Sequence, residues 1–216
     1  MPKKRTREIR QCRPMLHIFC EGANTEPWYF RQYINRFSRQ PSRIVVEKTA
    51  KNTPVALVRE AQKMMRGIKK HSGDIFWVVF DRESTVKYPE SLHDQARQLA
   101  AANGINIAIS NVCFEVWMLL HRRDTAPACM NCDELLARKE FRDLFPDYDK
   151  SNEIVFTPEE IRHARLCAES MNAQTIAGAD KSWTVPSKWN PYTNVHHVLN
   201  AIDTLNLSQP SQPDLS

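Results

Sequence analysis

Two carboxylates follow one strongly apolar stretch of the sequence, residues 77–80. Asp81 comes directly after this stretch, and Glu83 stands two positions later. Acids this close repel each other unless a positive charge lies beside them, and their oxygens are ligands that Mg²⁺ and Mn²⁺ prefer. A divalent ion would let both acids stay ionised and would assist attack on a phosphodiester. The pair therefore indicates metal-dependent chemistry on phosphates.

Two further acids stand at comparable places. Glu21 follows the apolar stretch 16–20, and Gly22 permits a tight turn after it. Glu115 follows the stretch 105–110 and falls in the first turn of a predicted helix. It is either a ligand for a second metal ion or an acid that complements the positive end of the helix dipole.

Short apolar runs alternate along the chain with longer amphipathic segments. The short runs predict strands, and the amphipathic segments, several of them opened by a capping residue or a proline, predict helices. Strands are predicted over residues 16–20, 44–48, 75–80 and 105–110, and helices over 26–37, 55–70, 91–103, 114–122, 133–141, 158–171 and 195–205.

This alternation is typical of an α/β fold in which helices cover both faces of a parallel sheet. In such sheets, ligands bind beyond the carboxyl ends of the strands, where neighbouring strands send their helices to opposite faces. If four strands lie in the order 2-1-3-4, strands one and three are neighbours. Glu21, Asp81 and Glu83 then converge on one crevice as metal ligands.

The composition favours one domain. A chain of 216 residues with 42% hydrophobic residues can bury one good-sized core. No apolar run is long enough for a membrane span, and the first residues lack the apolar centre of a secretory signal. We therefore expect a cytoplasmic protein with no membrane partner, whose six cysteines are mostly thiols. The net charge of +5 is compatible with an anionic partner.

Polar segments flank the predicted domain. Residues 1–13 form a basic arm that is either a phosphate-attracting segment or a solvated tail. Residues 207–216 are rich in Ser, Gln and Pro and are predicted to be disordered. Between them we expect a domain over residues 14–206, with a core over about 14–123 and a helical extension over about 124–206.

Five separated motifs, in this order, resemble the RloB-like family. They are FCEGANTEPWYF, WVVFDRE, ISNVCFEVWMLLH, YDK and NPYTNVH, and the resemblance covers residues 15 to about 202. It implies a Toprim-type catalytic fold, the metal-dependent phosphotransfer module of primases, topoisomerases and nucleases. Glu21 matches the glutamate after the first strand of that fold, and Asp81 matches the first acid of its Asp-x-Asp pair. Glu83 stands where a second aspartate is usual.

The resemblance implies a nuclease that uses Mg²⁺ or Mn²⁺ to cleave RNA or DNA. The catalytic residues would be Glu21, as general acid/base or metal ligand, with Asp81 and Glu83 holding the ion. Similar Toprim proteins, related to OLD-family nucleases and to PARIS-like systems, tend to be encoded with an ABC-type ATPase and act in defence against phage. The chain has no Gly-x-x-x-x-Gly-Lys-Ser/Thr phosphate loop, so an ATP-driven step would need that partner.

Two alternatives stay open. Because Glu83 replaces the usual aspartate, the chain could be a catalytically inactive subunit that binds nucleic acid. It could also serve chiefly to dock on the ATPase. Self-association into a homo-oligomer is compatible with the sequence.

Several polar residues are candidates for contacts with nucleic acid. Lys48 and Lys51 follow the second strand at the same sheet edge, where they could contact backbone phosphates. Lys150 either neutralises a phosphate or is an ordinary loop charge. The resemblance suggests that the segment NPYTNVH closes the domain near the site, where either His196 or Asn190 would touch substrate, whereas the plain interpretation is a capped C-terminal helix.

Cys129 and Cys132 have the spacing of one half of a zinc knuckle. A structural zinc site needs a second pair at matching spacing, and Cys113, Cys167 and His163 do not supply it. The spacing alone therefore does not predict a zinc site.

Overall fold

A computed structural model describes residues 13–67, 73–151 and 153–207. The predicted basic arm and the predicted tail therefore lie almost entirely outside the described residues. Within the described part, no helix is both long enough and apolar enough to cross a membrane.

One five-stranded sheet forms the centre of the fold. Its first four strands are parallel and lie in the order 2-1-3-4, which confirms the predicted arrangement. A fifth strand pairs antiparallel with the fourth. It has only two residues, which is too few to show the apolar run or alternation that predicts a strand. The strands are β1 (Leu16–Cys20), β2 (Ile44–Glu47), β3 (Ile75–Asp81), β4 (Asn106–Asn111) and β5 (Tyr192–Thr193).

Eight α-helices are described, and all the predicted ones are found with altered bounds. The predicted helix over 133–141 is two helices, because Arg138 between them adopts an extended conformation. The helix predicted over 114–122 is only five residues long, whereas the one predicted over 158–171 is longer than expected. The helices are α1 (Thr25–Phe37), α2 (Pro54–Gly67), α3 (Glu90–Asn103), α4 (Glu115–Leu119), α5 (Cys132–Ala137), α6 (Lys139–Leu144), α7 (Pro158–Gly178) and α8 (His196–Leu207).

The sheet separates two apolar cores. Helices α2 and α3 pack on one face, and α1 with the helices from α4 onwards packs on the other. Strand β3 contributes to both cores, since Trp77 and Val79 face one while Val78 and Phe80 face the other. The apolar run that ends at Asp81 is therefore a strand buried on both faces.

This arrangement creates a crevice between β1 and β3. The two strands are hydrogen-bonded neighbours, yet α1 and α3, which follow them along the chain, lie on opposite faces of the sheet. Such a point, beyond the carboxyl ends of the strands, is where open α/β sheets bind ligands. The predicted acidic residues lie at this point.

Candidate metal centre

A cavity of about 250 Å³ opens at the carboxyl edge of the sheet. Among the described residues, its wall carries five carboxylates and two lysines. The acids come from the ends of three neighbouring strands and from the helix that follows β1. The charged residues of the wall are Glu21, Glu26, Asp81, Glu83, Lys87, Glu115 and Lys150.

Glu21 is held rigidly at the end of β1. Its backbone amide donates to the carbonyl of Val79 at 2.9 Å, which extends the β1–β3 pairing by one residue. Its carboxylate accepts hydrogen bonds from the Asp81 amide at 3.1 Å and from the Tyr88 hydroxyl at 2.7 Å. The Tyr88 hydroxyl also contacts the carbonyl of Asn52. Burial raises the pKa of Glu21 although both donors oppose the change, so this carboxylate is oriented and suited to accept a proton.

Asp81 is the least compensated acid of the cavity. Within the described residues its carboxylate accepts no hydrogen bond, and burial together with Glu26 and Glu115 raises its pKa well above the usual value. Arg82, the cation next to it in sequence, is directed elsewhere. Its guanidinium donates to the carbonyls of Ser187 and Tyr88 at 2.9 Å each. The ionised form of Asp81 therefore has no hydrogen-bonded or ion-paired cation within the described residues, and Lys87 and Lys150 act on it only at longer range.

Glu83 differs from Asp81 in its surroundings. Its backbone has a positive φ of 56°, a conformation that a glutamate rarely adopts. Its carboxylate pairs with Lys87 at 2.5 Å, and the pairing raises the pKa of Lys87 despite partial burial of the amine. Glu83 is therefore already neutralised by a side chain four residues along the chain.

Glu26 is an acid of the cavity that the sequence analysis did not single out. It lies in the first turn of α1, is buried, and accepts a hydrogen bond from the Gly22 amide at 3.1 Å. Burial, with Glu115 and Glu21 nearby, raises the pKa of Glu26 to about 7. A Cβ at position 22 would lie 2.1 Å from Glu26 Oε2, so any larger residue there would displace this carboxylate. Its place in the sequence could have indicated this, because the helix that follows β1 must begin at the same sheet edge as Glu21.

Glu115 is the most deeply buried of the five acids, with 1% of its surface exposed. The Tyr148 hydroxyl donates to it at 2.7 Å, the Cys132 thiol contacts it at 3.4 Å, and the Lys150 amine lies 3.6 Å away. Burial alone would raise the pKa of Glu115, but Lys150 and Tyr148 outweigh burial and hold the pKa below its usual value. Glu115 is thus ionised and compensated without a metal ion.

We expect Tyr148→Phe to lower the free energy of unfolding by about 1.5 to 3 kcal/mol near neutral pH, because it removes a hydrogen bond to a buried charge. Glu115 has a lowered pKa in the fold, so this stabilisation exists above the unfolded pKa of about 4.5 and is lost as the pH falls through the folded value. Urea unfolding near pH 7 and at a series of decreasing pH values below 4.5 measures the difference.

The matched control is Tyr192→Phe. Tyr192 is buried and Tyr148 half-buried, but the hydroxyl of Tyr192 makes no hydrogen bond within the described part of the chain, so we expect a change within about 0.5 kcal/mol. An equal effect of both substitutions, or an effect of Tyr148→Phe that does not vary with pH, would contradict the role of Tyr148.

The donor set fits a hard divalent cation. Glu21, Glu26 and Asp81 offer carboxylate oxygens on one cavity, and neighbouring charge and burial raise the pKa of each. Mg²⁺ and Mn²⁺ take oxygen ligands, and a bound divalent cation would favour the ionised form of all three acids. The lysines do not replace such an ion for these acids, because Lys87 pairs with Glu83 and Lys150 with Glu115.

The predicted nucleic-acid residues lie in two different environments. Lys48 and Lys51 are exposed in the loop after β2, next to Asn52 of the cavity wall, and Lys150 lies in the wall itself. His196 is 2% exposed at the start of α8 and packs near Trp117. The side chain of Asn190 donates to the Cys129 carbonyl at 2.7 Å. Neither Asn190 nor His196 belongs to the wall of the cavity.

The two cysteines with zinc-knuckle spacing are not gathered into one ligand cluster. Cys132 lies with Cys113 and Glu115, whose ligand atoms are within 4.8 Å of one another. Cys129 belongs to no such cluster in the described ranges, and its thiol interacts with Arg138 instead. Cys129 and Cys132 are therefore close in sequence but do not share a ligand cluster in the folded chain.

Comparisons with known proteins identify the chain by its family. No curated protein and no solved structure gives a significant match. A family described as RloB-like protein matches residues 16–202, which include every acid of the cavity and both of its lysines. The chain therefore belongs to the RloB-like protein family.

Proposed function

We propose that this protein is a metal-dependent nuclease that hydrolyses phosphodiester bonds of RNA or DNA. The observation that carries the proposal is the convergence of Glu21, Glu26 and Asp81 on one cavity without enough positive charge to neutralise them. Clustered carboxylates in a strand-end crevice are the usual means of holding Mg²⁺ or Mn²⁺ for phosphate chemistry.

The surroundings of the acids suggest a division of roles. Asp81 and Glu26 are buried and would hold the ion, while Glu21 is oriented by Tyr88 and by the Asp81 amide. When bound, a divalent ion supplies Lewis-acid stabilisation of the charge that develops on the phosphate. Glu21 would accept the proton of the attacking water at Oε1 and return it to the leaving oxygen, since its raised pKa brings it closer to neutral pH.

The lysines around the cavity would position the nucleic acid. Lys48 and Lys51 are exposed beside the wall and could contact backbone phosphates, which orient a strand without reading its sequence. Lys150 is held at the rim because its carbonyl accepts a hydrogen bond from the Thr25 hydroxyl at 3.2 Å. Because the Lys150 amine already pairs with Glu115, it would have to contact Glu115 and a phosphate at the same time.

We propose further that an ABC-type ATPase controls the nuclease in defence against phage. The support is membership of the RloB-like family together with the resemblance to Toprim nucleases that are encoded beside such ATPases. The chain itself has no phosphate loop that could bind ATP in the manner of those enzymes.

The test is a cleavage assay of the full chain on tRNA, single-stranded DNA and duplex DNA, with Mg²⁺, Mn²⁺ or EDTA. We expect cleavage of one class of substrate that requires the ion. If the protein is inert alone, the assay is repeated with the ATPase encoded beside it. Lack of cleavage in both formats would overturn the proposal.

One observation favours an inactive binding subunit as the second candidate. The pairing of Glu83 with Lys87 removes that carboxylate from the donors free to hold a metal ion. An inactive subunit would bind nucleic acid or the ATPase with an affinity unchanged by EDTA, and it would cleave none of the substrates.

Gly22→Ala is expected to reduce cleavage by roughly 10- to 100-fold, because a displacement of about 1 Å in an active site can cost this much. The added methyl group would force the Glu26 carboxylate out of its present position. Gly67→Ala is the matched control, since a Cβ there has nothing within 4 Å. Full activity of Gly22→Ala would show that the position of Glu26 does not matter for catalysis.

A further inference from the structure

Three side chains with metal-binding atoms converge away from the acidic cavity. Asp124 lies beyond the end of α4, and His163 and Cys167 lie one turn apart on the same face of α7. The distance from His163 Nε2 to Asp124 Oδ1 is 3.0 Å, and the distance to Cys167 Sγ is 3.5 Å. The third edge of this triangle, from Cys167 Sγ to Asp124 Oδ1, is 3.9 Å.

The imidazole of His163 is oriented as a ligand. Its Nδ1 lies 3.0 Å from the carbonyl oxygen of Leu120, which can only accept, so Nδ1 carries a proton. In the neutral ring the lone pair of Nε2 therefore points towards the carboxylate of Asp124. Two lone pairs at this distance repel each other unless a cation, either a proton or a metal ion, lies between them. A backbone carbonyl that fixes the second nitrogen is also the usual support of a metal-binding histidine.

The sulfur atom of Cys167 completes a donor set of the kind that transition metals take. It lies beside the imidazole, 3.5 Å from Nε2 and 3.8 Å from Nδ1, and its thiol donates to Asp124 Oδ1, so a metal ion would replace the thiol proton and draw the sulfur towards Nε2. In a tetrahedral zinc site, bonds of about 2.0 to 2.3 Å place the donors about 3.3 to 3.6 Å apart. The three edges here bracket that range.

We propose that Asp124, His163 and Cys167 bind a divalent transition-metal ion of the Zn²⁺ type, with the remaining position open to solvent. Nitrogen, sulfur and oxygen ligands together suit Zn²⁺ and not Mg²⁺. The Asp124 side chain is 93% exposed, so the ion would have direct access to the site. Binding would tie the segment after α4 to α7.

The second cluster of this kind is a weaker candidate. Cys113, Glu115 and Cys132 also bring their ligand atoms within 4.8 Å. However, Lys150 already supplies a positive charge to Glu115 and lies 3.8 Å from the Cys132 sulfur. A metal ion there would have to displace or repel that lysine. This cluster instead provides the control for the experiment.

The test is a titration of the EDTA-treated, dialysed full chain with Co²⁺, followed by absorption spectroscopy. We expect one Co²⁺ per chain to produce the near-ultraviolet band of a cobalt–thiolate bond, with visible bands typical of tetrahedral coordination, and Zn²⁺ to displace it. An ion held only by the carboxylates of the acidic cavity cannot produce this band, and the Cys132 control below covers the thiol that contacts Glu115. The result is therefore independent of whether the protein is a nuclease.

Cys167→Ser should abolish the thiolate band, and His163→Ala should weaken Co²⁺ binding by about ten-fold or more. Cys132→Ser is the matched control and should leave the band unchanged. Zn²⁺ should also raise the melting temperature of the unmodified chain but not that of Cys167→Ser. Absence of the band from the unmodified chain would overturn the proposal. So would a band that Cys132→Ser removes and Cys167→Ser leaves in place.

Discussion

Asp81→Asn is expected to reduce metal-dependent cleavage by about 100-fold or more, because changes beside metal ligands alone cost about 10- to 100-fold. Asparagine is close in size to aspartate but cannot neutralise a divalent ion. The substitution should also weaken Mg²⁺ or Mn²⁺ binding, measured by calorimetry on the same preparations. Both effects are expected because Asp81 is the acid of the cavity whose carboxylate forms no hydrogen bond or ion pair within the described residues.

The same substitution should leave the fold intact. The raised pKa of Asp81 means that its ionised form is disfavoured in the folded chain. Ionisation therefore lowers stability above the unfolded pKa of about 3.8. Asparagine removes this cost because its side chain carries no charge. We expect the free energy of unfolding of the metal-free protein at neutral pH to be equal to or higher than that of the unmodified chain.

Asp94→Asn is the matched control. Asp94 lies on α3, where it forms a surface ion pair with Arg97, and it does not line the cavity. This variant undergoes the same chemical change and should keep full cleavage and ion binding. Cleavage that persists in Asp81→Asn, or a large loss of its thermal stability, would contradict the role assigned to Asp81.

Glu26→Gln is expected to stabilise the metal-free protein and to remove its response to Mg²⁺. Burial, with Glu115 and Glu21 nearby, raises the pKa of Glu26 from 4.5 to about 7 in the folded chain. This difference corresponds to about 3 kcal/mol of lost stability once the residue is ionised in both states. The free energy of unfolding of the variant should also rise because ionised Asp81 is no longer repelled by a charge on Glu26.

The destabilising effect of Glu26 on the folded chain depends on pH. Below about pH 4.5 Glu26 is protonated in both the folded and the unfolded chain, so it has no effect on stability. Between about 4.5 and 7 the unfolded chain loses its proton first, and the free energy of unfolding falls as the pH rises. In Glu26→Gln this contribution to the fall is absent. Urea unfolding in EDTA between these pH values compares the two proteins.

Mg²⁺ should reverse the fall in the unmodified chain, since an ion that binds only the folded state stabilises it. The Glu26→Gln variant should respond weakly or not at all. Glu159→Gln is the matched control, because Glu159 is an exposed acid on α7 and its loss should change neither curve by more than about 0.5 kcal/mol. Parallel pH curves for Glu26→Gln and the unmodified chain would contradict the raised pKa.

The sequence was sufficient for the four parallel strands and for their acidic edge. Apolar runs with an acid at the end are local signals, and parallel strands share one carboxyl edge, so Glu21 and Asp81 could be placed in the same crevice. The strand order 2-1-3-4 and the helices on both faces followed from the same alternation and from the resemblance. These features depend on residues that are neighbours in the chain or repeat with a fixed period.

Compensation of the charges was decided by the tertiary structure. Arg82 lies between two acids in sequence but binds carbonyls, and Glu83 is paired with Lys87 after a turn of the backbone. Glu115 meets Tyr148 and Lys150 only because the segment after α6 folds back onto α4. A sequence gives the identity of each charge, whereas the direction of each side chain depends on packing between distant segments.

Distant segments also assemble the remaining sites. Glu26 joins the cavity because α1 begins at the same edge as Glu21, and Gly22 leaves room for its carboxylate. Asp124 meets His163 and Cys167 although about forty residues separate them, a distance in sequence at which spacing carries no ligand pattern. Local sequence thus determined which strands end in acids. Long-range packing determined which acids remain without a counter-charge, because burial and partner distance set the pKa of each group.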